Sequence, residues 1–493
     1  MRRLPIVLRC NDALVHRARY VFDTLLMARR IPVVYAEDPP SDGPWLLYAP
    51  KEELCDARER RCVAIAHFAE AWDFSRQRED EQASFHGELA VVSPECVDAP
   101  ESEATISFDL IANAFYFLSS WSERRAQEET DSRALYSRSV FRRRGVPQDI
   151  VDQYLDRLME ALDIACWRAG VEPWPDPVWP GSSEYGVVLS HDIDFVPSGF
   201  LDTARQGAKT LLRHLIRERD VFEALRAAKG WVGGVLRGRD VYGCVPHIID
   251  VERQSGVMSS FQVAVGHMHP NDVNYRIEDE AVLAYLRRIV EAGFEVCLHG
   301  SYRSTEVPEW YIREVELLTR TLGRPLGSRQ HFLSFGYDAL FGAQERAGIE
   351  YDMSMGFPDR AGARAGFSYP YFPYSLADDR PYDVVEIALF YMDVTLRSYM
   401  GLKAGRAWEF LESELARLKR KRGFVSVVWH PIVFGGARDP GYDTLFWKLI
   451  DYVRSTNGLG TDGRTINAYW RDNARQYSSF TKRTAVASSG AAV

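Results

Sequence analysis

Short apolar runs alternate with amphipathic segments along the chain, and the pattern before residues 171–184 differs from the pattern after them. Up to about residue 105 the apolar runs are brief and separated by polar turns, which predicts a small mixed α/β region. Residues 106–118 are apolar nearly all round after Asp109, so we expect a buried helix there. Residues 148–167 carry apolar positions at helical spacing and predict a second helix.

A proline-rich stretch then separates this region from a second pattern. Residues 171–184 contain four prolines, which disfavour helix in the residues that precede them. Beyond it we expect strands at 185–190, 260–265, 294–298, 384–389 and 424–428, and helices at 278–292, 307–323 and 406–421. Strands alternating with helices predict a parallel sheet wrapped by helices, as in a (β/α) barrel.

The expected organisation follows from these patterns. Residues 1–170 are predicted to form an accessory α/β domain and residues 171–184 a linker. The barrel is expected over residues 185–475, with an insertion at 200–245, and a flexible tail over 476–493.

Composition narrows the class of protein. Of 493 residues, 46% are apolar and 26% are charged, the balance of an ordinary globular protein. The net charge of −9 argues against a general nucleic-acid binder, and no window is apolar enough to predict a membrane span. The seven cysteines are scattered without a C-x-x-C pair, and the first apolar run is broken at Pro5 and ends at Arg9. We therefore expect a cytoplasmic protein.

Ionisable side chains stand where predicted strands end. Residues 185–190 lead into His191, Asp192 and Asp194, residues 294–298 lead into His299, and residues 424–428 lead towards His430. The carboxyl ends of parallel strands meet at one edge of a sheet, so these groups should converge. Asp192 and Asp194 should share one side of the backbone. The alternative for the acids is an Asx turn, and for each histidine a packed structural role.

The order of these motifs resembles that of a known family. The stretches LSHDID, EVCLHGSYRS, SRQHFL and VVWHP, spread in that order over residues 189–431, are similar to the successive motifs of the polysaccharide deacetylase (NodB-like) family. The upstream stretch SFDLIANAFYFLSSWSE is similar to an accessory domain that precedes some bacterial members. The resemblance implies a distorted (β/α) barrel and metal-dependent deacetylation of carbohydrates.

The resemblance also implies roles for individual residues. Asp192 would be the general base on the attacking water, while Asp194 and His299 would bind a divalent metal, with zinc as the first candidate. Arg329 would orient the base, and His430 would donate a proton to the leaving amine. Metal, base and acid together meet the needs of amide hydrolysis.

The chain departs from the family pattern at the second histidine of the metal motif, where it has Arg303. Zinc catalysis normally uses three protein ligands and an open position. We expect His331 to supply the missing imidazole, with His191 as a weaker alternative because its side chain should point away from Asp192. Arg303 itself, Tyr302 and Asp393 are predicted to contact the substrate.

Two further segments carry candidate surfaces. Residues 201–240 combine apolar positions with nine Lys or Arg and five Asp or Glu, and predict a helical lid packed on the protein. Peripheral contact with an anionic membrane is the alternative. Residues 356–366 form a glycine-rich loop containing Asp359 and Arg364, and the aromatic residues that follow suit either sugar stacking or packing.

The predicted function is removal of acetyl groups from an N-acetylated sugar or glycan precursor. The carbohydrate would be the partner, and no nucleic acid is expected. One alternative is a barrel that has lost catalysis and binds a saccharide or a partner protein, which Arg303 favours. The other is hydrolysis of a different non-peptide C–N bond.

Overall fold

A computed structural model describes residues 2–54, 61–76, 84–93, 95, 104–127, 130, 132–143, 146–197, 200–236, 241–266, 269–304 and 306–479. The chain forms two compact units. The first comprises Met1–Pro177, Ala363–Val385 and Ala468–Val493, and the second comprises Val178–Gly362 and Glu386–Asn467. Most of the predicted tail, residues 480–493, lies outside the described residues.

The secondary structure of the described residues is as follows. The strands are β1 (Leu4–Leu8), β2 (Val33–Ala36), β3 (Trp45–Ala49), β4 (Cys62–Ala66), β5 (Ser84–His86), β6 (Leu89–Val91), β7 (Thr105–Ile106), β8 (Tyr185–Ile193), β9 (Ser260–Ala264), β10 (Glu295–Gly300), β11 (Gly327–Gln330), β12 (Tyr351–Asp352), β13 (Tyr374–Ser375), β14 (Arg380–Pro381), β15 (Val385–Glu386), β16 (Leu389–Met392), β17 (Phe424–Val428) and β18 (Gly458–Thr461). The helices are α1 (Asp12–Ala28), α2 (Lys51–Leu54), α3 (Leu110–Leu118), α4 (Trp121–Ala126), α5 (Val140–Arg143), α6 (Ile150–Arg168), α7 (Phe200–Leu212), α8 (Val221–Leu236), α9 (Val245–Ser255), α10 (Glu280–Glu291), α11 (Pro308–Thr321), α12 (Tyr337–Ala347), α13 (Ala404–Lys421), α14 (Tyr442–Ser455) and α15 (Gly463–Tyr477).

The first unit contains a parallel sheet in the order β2-β1-β3-β4-β7. The predicted helix near residue 110 is α3, and all nine of its residues are buried. Asp109 caps it, accepting a hydrogen bond from the backbone N–H of Ala112 at 2.9 Å. The second predicted helix is α6, so both expectations for this region are confirmed.

The second unit is a curled parallel sheet in the order β15-β12-β11-β10-β9-β8-β17-β16, with β18 also paired to β8. The helices α10, α11 and α12 each join one parallel strand to the next in the run from β9 to β12. This is the mixed α/β barrel architecture that the alternating pattern predicts. Each predicted helix of this region agrees with the structure to within two residues at its ends.

One segment joins the two ends of this sheet. The predicted strand at 384–389 is divided into β15 and β16, which follow each other directly in the chain. The N–H of Ile387 donates to the carbonyl of Asp352 in β12, while the carbonyl of Ala388 accepts from the N–H of Ser426 in β17. The segment therefore changes partner between Ile387 and Ala388, and it brings β16 beside β17.

The unit boundaries differ from the sequence expectation of one continuous barrel over 185–475. Residues 363–385 return to the first unit, where Arg364 forms a buried ion pair with Glu123 at 2.7 Å. The aromatic side chains that follow the glycine-rich loop are also buried in that unit, at Tyr369, Tyr371 and Tyr374. Packing is therefore their role. Within the described residues, no helix has the length and apolarity needed to cross a bilayer.

Candidate active site

The carboxyl ends of five strands deliver polar side chains to one edge of the second unit. Asp194 follows β8, His299 lies near the end of β10, His331 follows β11, Asp393 follows β16 and His430 follows β17. Parallel register keeps the ends level, because His299 pairs with Arg329 across β10 and β11. The convergence expected from the strand ends is present.

Asp194, His299 and His331 bring three ligand atoms into one cluster, all within 4.8 Å of one another. The Nε2 atoms of His299 and His331 lie 3.3 and 3.7 Å from Oδ1 of Asp194. Two ligands of a tetrahedral zinc ion are about 3.4 Å apart, since each lies about 2.0–2.2 Å from the metal. Among the described residues, the buried Oδ1 of Asp194 and Nε2 of His299 have no hydrogen-bond partner. The cluster fits a divalent metal.

A hydrogen bond to the backbone fixes the orientation of the His299 ring. Its Nδ1 donates to the backbone carbonyl of Arg329 at 3.0 Å, which leaves Nε2 facing Asp194. This is the arrangement in which a second hydrogen bond sets the tautomer of a metal-binding histidine. Burial alone would lower the pKa of His299, but Asp192 and Asp194 raise it above the usual value.

His331 stands at the start of a strained turn. The two residues after it, Phe332 and Leu333, have φ angles of 58° and 52°, in the left-handed region that non-glycine residues rarely adopt. Each costs about 1–3 kcal/mol, and such strain is concentrated at functional sites. Burial lowers the pKa of His331 to about 4, so its imidazole is neutral near pH 7 and has a lone pair for a metal.

Asp194 is held ionised within the cluster. Burial would raise its pKa, but interactions with the imidazoles of His331, His299 and His430 lower it well below the ordinary value. Zinc binds ionised carboxylates and neutral imidazoles, and its binding displaces a proton from an imidazole that carries one. Asp194 with His299 and His331 is therefore a suitable set of zinc ligands.

Asp192 lies beside the cluster and is paired with a fully buried arginine. Nη1 of Arg329 donates to Oδ1 of Asp192 at 2.6 Å. The remaining guanidinium donors reach Oγ of Ser190 at 2.9 Å and the carbonyl of Met353 at 3.0 Å. Burial would raise the pKa of Asp192, but Arg329, His299 and the further imidazole of His430 lower it. Asp192 is therefore ionised and fixed in position.

His430 also lies close to Asp194. Its Nε2 lies 3.5 Å from Oδ2 of Asp194, and its Nδ1 donates to Oδ1 of Asp393 at 2.6 Å. Burial alone would lower the pKa of His430, but the adjacent Asp393 raises it to about 9. His430 is thus protonated at neutral pH. Asp393, which we predicted to touch substrate, is 1% exposed and instead holds His430.

The other predicted substrate contacts occupy different positions. The side chain of Arg303 is 53% exposed, and its Nε lies 3.5 Å from Oε2 of Glu306. Tyr302 is buried, and its ring stacks on His269 with centroids 4.3 Å apart. Among the described residues, Arg303 makes no ion pair with the cluster. The third candidate metal ligand is therefore not at position 303 but is His331.

His191 has a structural role on the opposite face of β8. Its Nδ1 donates to the carbonyl of Trp429 at 2.7 Å, and its Nε2 lies 3.1 Å from Oε1 of Glu252. Both ring nitrogens are therefore engaged away from Asp194. This removes the weaker alternative for the third ligand and leaves His331.

Phe332 also lies at the cluster, although no sequence pattern predicts a functional role for it. Its ring is 54% exposed, and its centroid lies 4.2 Å from that of His331 and 5.6 Å from that of Tyr302. An exposed aromatic ring beside a polar cluster offers an apolar face to a ligand. Its position next to a candidate metal ligand is the signal that could have identified it.

Comparison with known proteins finds solved structures that resemble this chain, but no match to a protein-family model or to a curated sequence. A protein described as a polysaccharide deacetylase from Mycobacterium smegmatis is 16% identical with a TM-score of 0.40, covering 60% of this chain and 93% of its own. A second protein described as a polysaccharide deacetylase, from Pseudomonas aeruginosa PAO1, is 16% identical with a TM-score of 0.41. The match covers 62% of this chain and 96% of that protein.

A third solved structure, the Puue allantoinase, is 15% identical with a TM-score of 0.41, covering 60% of this chain and 94% of its own.

Proposed function

We propose that this protein is a metal-dependent hydrolase that removes acetyl groups from the amino groups of a sugar or polysaccharide precursor. The observation that carries the proposal is the imidazole of His331, which joins Asp194 and His299 in one cluster. It replaces the ligand that Arg303 cannot supply. The proposal therefore does not require a histidine at position 303.

Asp192 is suited to act as the general base. Arg329 holds its Oδ1, while its Oδ2 lies 4.0 Å from Nε2 of His299 and so faces the cluster. A water molecule bound at the cluster would be within reach of this oxygen. Asp192 would take one proton from that water as the water oxygen bonds to the acyl carbon.

His430 is suited to act as the general acid. It is protonated at neutral pH, and its Nε2 lies 3.5 Å from Oδ2 of Asp194 at the cluster. It would donate its proton to the departing nitrogen as the amide C–N bond breaks. The products are acetate and a free amine. Two protons are released, one from Asp192 and one from the carboxyl group that forms, of which one restores the protonated His430 and the other returns to solution.

A bound divalent metal would polarise the acyl oxygen and increase the acidity of the attacking water. Asp194, His299 and His331 would hold it, leaving a position for water or substrate. Support for a carbohydrate comes from the motif resemblance and from the exposed ring of Phe332 beside the cluster, since sugar rings pack against aromatic faces.

The test is acetate release from N-acetylglucosamine oligomers by protein loaded with zinc. Metal-stripped protein and the variant Asp192→Asn are the controls. We expect Asp192→Asn to lower kcat by about 10²–10⁴-fold, the usual contribution of a general base. Equal release by wild-type protein and Asp192→Asn would contradict the proposal. Release of ammonia or amine from small amides or allantoin, with none from the oligomers, would favour another C–N bond.

The pH dependence of kcat should reflect the pKa of His430, which Asp393 raises. His430 acts in its protonated form, so kcat should fall as pH rises through about 9. In Asp393→Asn the interaction that raises the pKa is lost, and we expect the basic limb to move towards the ordinary histidine value of about 6.5. The pH profile of kcat measures this shift.

Glu306→Gln provides the matched control, because Glu306 is a carboxylate on a half-exposed loop that pairs with Arg303. Its basic limb should stay where the wild-type limb lies. An unchanged basic limb in Asp393→Asn would remove His430 from the role of acid.

A further inference from the structure

The segment that runs from the end of α7 through α8 exposes an unusual number of large apolar side chains. Among the described residues, eight of the fifteen exposed large apolar side chains fall between residues 212 and 236. We call these eight the apolar face: Leu212, Leu215, Ile216, Val221, Phe222, Leu225, Val232 and Leu236. Phe222 is 82% exposed and Leu236 is 80% exposed, so the described residues of this unit leave these side chains largely uncovered.

The opposite side of α8 is built from small residues and is packed. Ala224 and Ala227 are 4% and 2% exposed. A Cβ added to Gly230 would lie 2.5 Å from the carbonyl oxygen of Gly436, in the loop that follows His430. Trp231 packs inward against a small apolar cluster. Otherwise this side of the helix carries small residues, while most of its large apolar residues point outward, which is the reverse of the usual pattern for a surface helix.

The charges around the apolar face have one sign. The exposed ionisable side chains of residues 203–236 are Arg205, Lys209, Arg217, Arg219, Arg226 and Lys229. The acidic residues of the same range are engaged in ion pairs: Glu218 with Arg397 and His214, Asp220 with Lys403, and Glu223 with Arg226. This surface is cationic although the whole chain carries a net charge of −9.

The insertion is fixed to the barrel beside the site. Arg213 donates to Oδ1 of Asp439 at 2.7 Å, and Arg397, four residues after Asp393, lies 2.5 Å from Glu218. The apolar face is therefore held on the segments that follow β16 and β17, the strands that lead to Asp393 and His430.

We propose that the apolar face and its cations dock this protein on an anionic lipid surface. An interfacial helix inserts an apolar face below the headgroups, while Lys and Arg meet the lipid phosphates. A second copy of the chain is a poorer occupant, because a symmetric contact would bring the same cations together. Docking requires none of the chemistry proposed for the site.

The experiment is sedimentation of the full-length chain with vesicles. We expect binding to vesicles of equimolar phosphatidylcholine and phosphatidylglycerol that falls with added salt, and at least about tenfold weaker binding to phosphatidylcholine alone. The paired variants Phe222→Ser with Leu225→Ser, and Arg226→Glu with Lys229→Glu, should each lose most of the binding.

Matched controls alter an exposed apolar residue and an exposed cation elsewhere. Trp167 is 80% exposed at the end of α6, and Arg320 is exposed near the end of α11. Trp167→Ser and Arg320→Glu should bind vesicles as the wild-type protein does, and circular dichroism should show all variants folded.

Three results would overturn the inference. The first is no binding to the anionic vesicles, and the second is equal binding of the face variants and the wild-type chain. The third is a dimer in analytical ultracentrifugation that becomes a monomer when Phe222 and Leu225 are changed, which would assign the face to a second copy.

Discussion

His331→Ala should abolish specific metal binding at the cluster. Its Nε2 lies 3.7 Å from Oδ1 of Asp194, and both nitrogens of the alternative ligand His191 are engaged elsewhere. Loss of a neighbour that only orients a ligand costs 10–100-fold in affinity, so loss of a ligand should cost more than about 100-fold. Zinc titration against a chromophoric chelator measures this change.

Two further variants test whether His331 is a metal ligand or only a neighbour of the metal site. His269→Ala removes an imidazole that stacks on Tyr302 and should leave zinc affinity unchanged. Adding Arg303→His to His331→Ala should not restore binding, because the side chain at position 303 is half exposed and directed towards Glu306. Full zinc affinity in His331→Ala would show that the third ligand has been wrongly assigned.

Arg329→Met should destabilise the second unit by about 3–5 kcal/mol, the usual cost of leaving a buried charge without its partner. Arg329 is fully buried, and Asp192 is 4% exposed. Without the guanidinium, burial should raise the pKa of Asp192 above its unfolded value. The loss should therefore be largest at neutral pH and smaller in acid, where Asp192 is protonated in both states. Urea unfolding followed by tryptophan fluorescence, compared between the variant and the wild-type chain, measures it.

A double variant identifies the cause of this loss. Arg329→Met combined with Asp192→Leu removes both charges, so it should be more stable than Arg329→Met alone. If the double variant were the less stable of the two, the loss would come from packing around Arg329, and the pair would not be electrostatically coupled.

The barrel was predictable where local pattern and packing agree. The helices α10 and α11 carry apolar residues at helical spacing, and both ends were located within two residues. The division of one predicted strand into β15 and β16 was not predictable, because the change of partner between Ile387 and Ala388 depends on strands far away in the chain. The return of residues 363–385 to the first unit likewise leaves no local signal.

The candidate site was predictable to the extent that parallel strands end at one edge. That rule alone predicts that Asp192, His299 and His430 lie together. The partnership of Asp393 with His430 was missed because the two lie on neighbouring strands 37 residues apart in sequence. Ser190 could have been found, since it alternates with Asp192 along β8 and so shares its side of the strand.

The pairing of β8 has a consequence for the synthesis of the protein. The first half of this strand, from Tyr185 to Val188, pairs with β18, while the second half, from Ser190, pairs with β9. The residues of β18 leave the ribosome about 270 positions after Tyr185, and such distant pairings form slowly. The first half of the strand that supports Asp192 thus keeps one edge unpaired until β18 has been synthesised. Chains that terminate before Gly458 should be substrates for chaperones and proteases.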